Sequence, residues 1–198
     1  MNKLLKSGFL AAFLLMSASL MSKDRDFSIS LGNVNSKTLN FEISNAKNVS
    51  LFVYNDIEGE LFSEKLENEK VVSKSYNLNE FASGTYYLVA ESETKVEKYR
   101  INIGKNNVME VDKTPVSVVN KPEYTISDHT VKLHLSNANT PVNISVMDFA
   151  NNMYYNATKQ SADGAVDLTF DLNRNTSENY IIRVEENGNV FNKVISLK

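Results

Sequence analysis

The sequence predicts an all-β protein: two tandem antiparallel β-sandwiches behind an N-terminal signal-peptide helix. Three observations carry this reading. Apolar residues alternate with polar ones along most of the chain, the period that lines one face of a strand. Turn residues interrupt these runs at spacings near ten residues. The chain beyond its leader is also written twice.

The leader comes first. Lys3 and Lys6 precede an uncharged apolar run, Phe9 to Met21, of about 13 residues. A membrane-spanning helix needs about 20 apolar residues, so residues 1–22 read as a secretory signal peptide, with small residues at Ser17, Ala18, Ser19 and Ser22 offering cleavage points. No stable membrane span is expected after cleavage.

The first unit, residues 23–111, opens with alternating runs at Phe27, Ile29, Leu31, at Leu39, Phe41, Ile43 and at Val49, Leu51, Val53. Further strands are predicted at Leu61–Lys65, Val71–Leu78, Thr85–Glu91 and Lys95–Ile103. The second unit, residues 112–198, repeats the first. Thr38–Ala46 (TLNFEISNA) matches Thr130–Ala138 (TVKLHLSNA) at an offset of 92, and Val49–Val53 matches Val142–Val146 at 93. Tyr76–Asn79, Tyr86–Glu91 and Val96–Ile103 match Phe170–Asn173, Tyr180–Glu185 and Val190–Leu197 at 94. A repeat of about 90 residues has the size of a whole domain and exceeds a solenoid unit. The segment between the units, Gly104 to Pro122, holds two prolines and several valines. It is expected to be a short linker that supplies the first strand of the second unit and holds the pair semi-rigidly.

One local pattern specifies the kind of sandwich. In immunoglobulin-like and fibronectin-III-like domains, a tyrosine at the start of the penultimate strand bonds back to nearby backbone, the tyrosine corner. Tyr86 and Tyr180 occupy that position in the two units. The surrounding residues, Leu78, Gly84, Tyr86 and Val96, resemble the L…GxY…V pattern of the C-terminal sorting domains of the type IX (Por) secretion system of Bacteroidota, and the final strand, with Lys193 and Lys198, is similar too. The chain as a whole resembles small exported flavobacterial proteins of two such units. The second copy has Glu178-Asn179 where the pattern has glycine. The resemblance implies an exported β-sandwich protein, a structural or interaction module whose partners are envelope proteins, secretion-machinery proteins or glycans; the alternative is a secretion-linked protein whose last unit acts as a type IX sorting-like signal.

Composition excludes much chemistry. With no cysteine there is no disulfide, thiolate zinc site or thiol nucleophile. A net charge of −3 argues against nucleic acid as a partner. There is no G-x-S-x-G, phosphate loop or H-E-x-x-H. His129 and His134 are five apart, which puts them on opposite faces of a strand and away from a shared metal. The acidic pairs Glu58/Glu60, Glu91/Glu93 and Glu185/Glu186 fall in turns or at strand ends, where a solvated surface explains them better than the facing carboxylates of a glycosidase. Asp56 to Glu60, and Asp148 with Asn151-Asn152, lack EF-hand spacing. The expectation is a non-catalytic protein without metal or cofactor. The candidate binding residues are tyrosines. Neighbouring residues on a strand point to opposite faces, so one of Tyr86/Tyr87 and one of Tyr154/Tyr155 should point outward, and Tyr54, Tyr87, Tyr154 and Tyr155 form the candidate surface.

Overall fold

The computed structural model describes residues 26–32, 37–161 and 163–197; the leader expected at residues 1–22 lies outside them. The described chain is built of strands. In its first half these are β1 (Ser28–Leu31), β2 (Thr38–Ala46), β3 (Val49–Asn55), β4 (Gly59–Leu66), β5 (Glu69–Asn77), β6 (Gly84–Glu91), β7 (Lys95–Ile103), β8 (Met109–Val111) and β9 (Ser117–Asn120). In its second half they are β10 (Glu123–Ser127), β11 (Thr130–Ser136), β12 (Val142–Asp148), β13 (Met153–Lys159), β14 (Ala165–Asp171), β15 (Asn179–Glu186) and β16 (Asn189–Ser196).

Each half makes two antiparallel sheets. The first has the orders β1-β2-β5 and β4-β3-β6-β7, and the second repeats them as β10-β11-β14 and β13-β12-β15-β16. The fourth strand of each half pairs with the third and not with the fifth. In a constant-type immunoglobulin domain that strand joins the opposite sheet; the three-plus-four arrangement here is the fibronectin-III-like variant of the sandwich.

The alternation seen in the sequence becomes two separate cores. In β3, Val49, Leu51 and Val53 are buried while Ser50, Phe52 and Tyr54 are half-buried on the other face. Leu39, Phe41 and Ile43 of β2 meet Leu51, Leu88 and Ile101 from the facing sheet in one core. Val131, Leu133 and Leu135 meet Ile144, Ile182 and Ile195 at the matching positions of the other. The register repeats as well: Tyr54 pairs with Tyr87 in one half and Met147 with Ile181 in the other.

Two features depart from expectation. The linker valines do not start the second half's sheets. Val118 and Val119 lie in β9, which pairs with Lys95–Lys98 of β7, and β8 pairs with the other end of the same strand. The free edge of β7 carries unpaired backbone groups, and the linker satisfies them before the chain turns away at Lys121, whose amine bonds to Glu91 and to the Ser92 carbonyl. Both halves also carry a β-bulge at the same place. Pairing skips Leu61 between Val53 and Tyr54, and skips Tyr154 between Val146 and Met147.

Candidate binding surface

The sheet containing β3, β6 and β7 buries one face and turns the other outward. On the outward face Phe52 opposes Val89, Tyr54 opposes Tyr87, and Val89 opposes Lys98. The Tyr54 and Tyr87 rings lie 5.3 Å apart at an interplanar angle of 30°. The Lys98 amine sits over both, 3.7 Å from the Tyr87 centroid and 4.8 Å from that of Tyr54, within reach of cation–π attraction. Arg100, opposite Tyr87, pairs with Asp112 at 2.8 Å. The outward face of an antiparallel sheet is ordinarily polar. Here it carries a half-buried run of aromatic and aliphatic side chains crossed by one cation.

The second half does not copy this face. At the positions matching Phe52, Tyr54, Tyr87, Val89 and Lys98 it has Ser145, Met147, Ile181, Arg183 and Asn192, in the same cross-strand register. The inward positions are apolar in both halves. Folding therefore demands the inward set and does not demand the aromatic outward one.

Of the four tyrosines proposed for a surface, the fold brings Tyr54 and Tyr87 together and leaves Tyr154 and Tyr155 elsewhere. Tyr154, the bulged residue, is 42% exposed, while Tyr155 is half-buried; the extra residue disturbs the alternation of faces locally. The Tyr155 ring packs edge-on against Phe170 at 5.2 Å. Tyr154 packs edge-on against the buried Tyr180 at 5.3 Å, and its hydroxyl donates to Asp148 Oδ2 at 2.8 Å. Lys98 is not among the candidates the sequence offers. Its only signal would have been strand register, two positions along β7 from the residue facing Tyr87.

Tyr86 and Tyr180 are both buried. The Tyr86 hydroxyl donates to the Ala82 carbonyl at 3.0 Å, and the Tyr180 hydroxyl to the Asn173 carbonyl at 2.7 Å. Lys37, also buried, donates to the carbonyls of Asn79 and Phe81 in the first of these two loops.

Asp148 closes the turn that leads into the bulge. Oδ1 accepts from the backbone N–H groups of Ala150 and Asn152, each at 2.9 Å, and Oδ2 accepts from the Asn152 amide and the Tyr154 hydroxyl, each at 2.8 Å. Asn55 holds the matching turn of the first half, accepting from the N–H groups of Ile57 and Glu58. The Asn152 side-chain bond, helped by the others and opposed by burial, holds the Asp148 carboxyl below the usual carboxylate range. A carboxyl depressed on folding stabilises the fold above its unfolded value, about 4, and loses that contribution as pH falls through the folded value. Asp148→Asn is therefore expected to flatten the acid limb of the stability curve below about pH 4, seen as a urea midpoint that falls less steeply with acid than in the unaltered chain.

His134 pairs across strands with Asp167 at 2.8 Å, and His129 lies 3.2 Å from Asp171. Among the described residues no group of three or more His, Cys, Asp or Glu is arranged to hold a metal, and no helix is long and apolar enough to cross a membrane.

No family model and no curated protein matches the chain. Among solved structures it is similar to the BSP domain of a biofilm-associated protein, at 11% identity and a TM-score of 0.28, over 86% of this chain and 29% of that one. It is similar to a two-domain fibronectin type III segment from chicken tenascin, at 8% identity and a TM-score of 0.29, over 85% and 97% of the two chains. A tetra-tandem repeat from the extending region of a large adhesion protein matches at 16% identity and a TM-score of 0.25, over 87% and 49%. The chain thus spans under a third of the biofilm-associated protein and about half of the adhesion-protein repeat.

Proposed function

We propose that this chain is a non-catalytic interaction module of the bacterial envelope or secreted space, made of two tandem β-sandwiches, and that its first sandwich engages a partner through the Tyr54–Tyr87–Lys98 face. One observation carries the reading: the repeat preserves the inward residues and leaves the outward aromatics in the first copy alone. Apolar residues gathered on a surface mark contact sites when packing does not require them, and tyrosine is enriched where binding energy concentrates. A rigid sheet also presents both rings without ordering a loop, so little conformational entropy is lost on binding.

The face fits a protein partner better than a sugar. Lys98 already covers both tyrosine rings, so a stacked sugar has to displace it. A carboxylate on a partner protein pairs with the amine while apolar side chains rest on Phe52 and Val89. A photo-crosslinking amino acid placed at Tyr87 is expected to trap one protein in cells, and the same group placed at Ile181, the matching site of the second half, is expected to trap none. Tyr54→Ala combined with Tyr87→Ala should then weaken binding of the trapped protein by more than about tenfold while leaving the thermal midpoint nearly unchanged. Equal trapping at Ile181, or undiminished affinity in the double variant, would refute the assignment. Fractionation of cells should place the protein in the envelope or medium and keep it in the cytoplasm when residues 1–22 are removed.

A further inference from the structure

Every sheet ends in edge strands, whose unpaired N–H and C=O groups invite another strand. The edges of this protein differ in how they are guarded. β4 and β13 carry the bulges. β1 and β10 have four and five residues. β5 carries Lys70 and Lys74, and β14 carries Asp167 and Asp171. The outer edge of β7 is occupied by β8 and β9. β16 is the least guarded, with one lysine, Lys193, as its sole charge. It is eight residues long, keeps unbroken register with β15, and contains no proline.

The internal repeat shows what this edge offers. The Leu197 N–H donates to the Glu178 carbonyl, so the odd-numbered residues of β16 turn their backbone groups toward β15. The even-numbered residues, Val190, Asn192, Val194 and Ser196, turn theirs to the open side, since the direction alternates along an antiparallel strand. The matching positions of β7 behave alike. There the Lys98 and Arg100 carbonyls accept from the N–H groups of Val116 and Asp112. The linker satisfies these groups in the first half, while among the described residues β16 pairs with β15 alone.

We propose that this edge is completed by β16 of a second copy, paired antiparallel about a two-fold axis through Asn192. The side chains favour a copy over a foreign strand. A two-fold axis perpendicular to the sheet keeps each residue on its own face. Centred on Asn192, it sets Val190 of each chain against Val194 of the other and Phe191 against Lys193. Val190 and Val194 are 43% and 52% exposed, and the pairing covers both as β-branched cross-strand neighbours. The stretch Val-Phe-Asn-Lys-Val is thus complementary to itself when reversed, the property an isologous interface requires.

Sedimentation equilibrium of the purified chain tests this. The unaltered chain is expected to show a monomer–dimer equilibrium. Asn192→Pro removes an N–H that faces the open edge and none that bonds β15, so the sandwich keeps its ladder while the dimer dissociation constant rises by more than about tenfold. Val194→Lys places a charge in the seam and should have the same effect, and it decides the matter if the proline variant loses its circular dichroism. Val71→Lys, at an exposed valine of β5, should leave the equilibrium unchanged. Hydrogen exchange should show the amides of Val190, Asn192 and Val194 slowing as concentration rises. A monomer at every concentration up to the solubility limit would overturn the proposal. So would a dimer that survives both β16 variants, or one whose formation leaves those amides unprotected.

Discussion

Leu88→Ala is expected to lower the stability of the first half by about 2–5 kcal/mol and to leave the second half untouched. Leu88 is fully buried in the first core, facing residues of β2 across the sandwich. Truncation removes buried methyl groups and leaves a cavity that a close-packed core cannot fill. Ile182 holds the matching position in the second core, and Ile182→Ala should produce the mirror result. The clusters are separate, and stability changes at sites that share no contacts are additive. Urea unfolding followed by two-dimensional NMR should thus show one set of resonances moving to lower denaturant in each variant. If either substitution shifted both sets equally, the two halves would unfold as one cooperative unit, and the division read from the repeat would be wrong.

The second large effect is expected at Tyr180. Tyr180→Ala should cost about 3–5 kcal/mol, the range for losing a buried aromatic ring. Its ring is 2% exposed and supports Tyr154 edge-on. Tyr180→Phe keeps that packing and removes only the 2.7 Å bond to Asn173, for about 0.5–1.5 kcal/mol. The Asn173 carbonyl also accepts from the N–H groups of Thr176 and Ser177, so it stays partnered when the hydroxyl is gone. In the first half Tyr86→Phe should cost a similar amount and leave its loop ordered, because Lys37 still bonds the carbonyls of Asn79 and Phe81. Thermal melts of the three variants check the ranking. A Tyr180→Phe cost equal to that of Tyr180→Ala would mean that the hydroxyl, and not the ring, holds the corner.

The contrast between Tyr87 and Tyr154 shows where sequence reading stopped. Both follow from the same rule, that neighbours on a strand face opposite ways. It suits Tyr87 because β6 runs without interruption beside β3 and β7. At Tyr154 the side chain is exposed as well, but a bulge interrupts the pairing there, its ring leans on Tyr180 and its hydroxyl bonds to Asp148, and neither strand's own sequence marks that bulge. Lys98 was hidden for a related reason. It lies 44 residues from Tyr54, and only the pairing of β3 with β6 and of β6 with β7 brings the amine over both rings.

The linker makes the same point. Its valines marked a strand, yet β8 and β9 belong to the sheet that precedes them. By itself the sequence determined the all-β class, most strand positions and the duplicated inward pattern, because a two-residue period and a repeat are properties of the chain taken alone. Only the tertiary structure decided which edge each strand joined, which tyrosines met and which edge stayed open, because pairing is set by the backbone groups of strands far apart in sequence, and those become neighbours only once the sheets have closed.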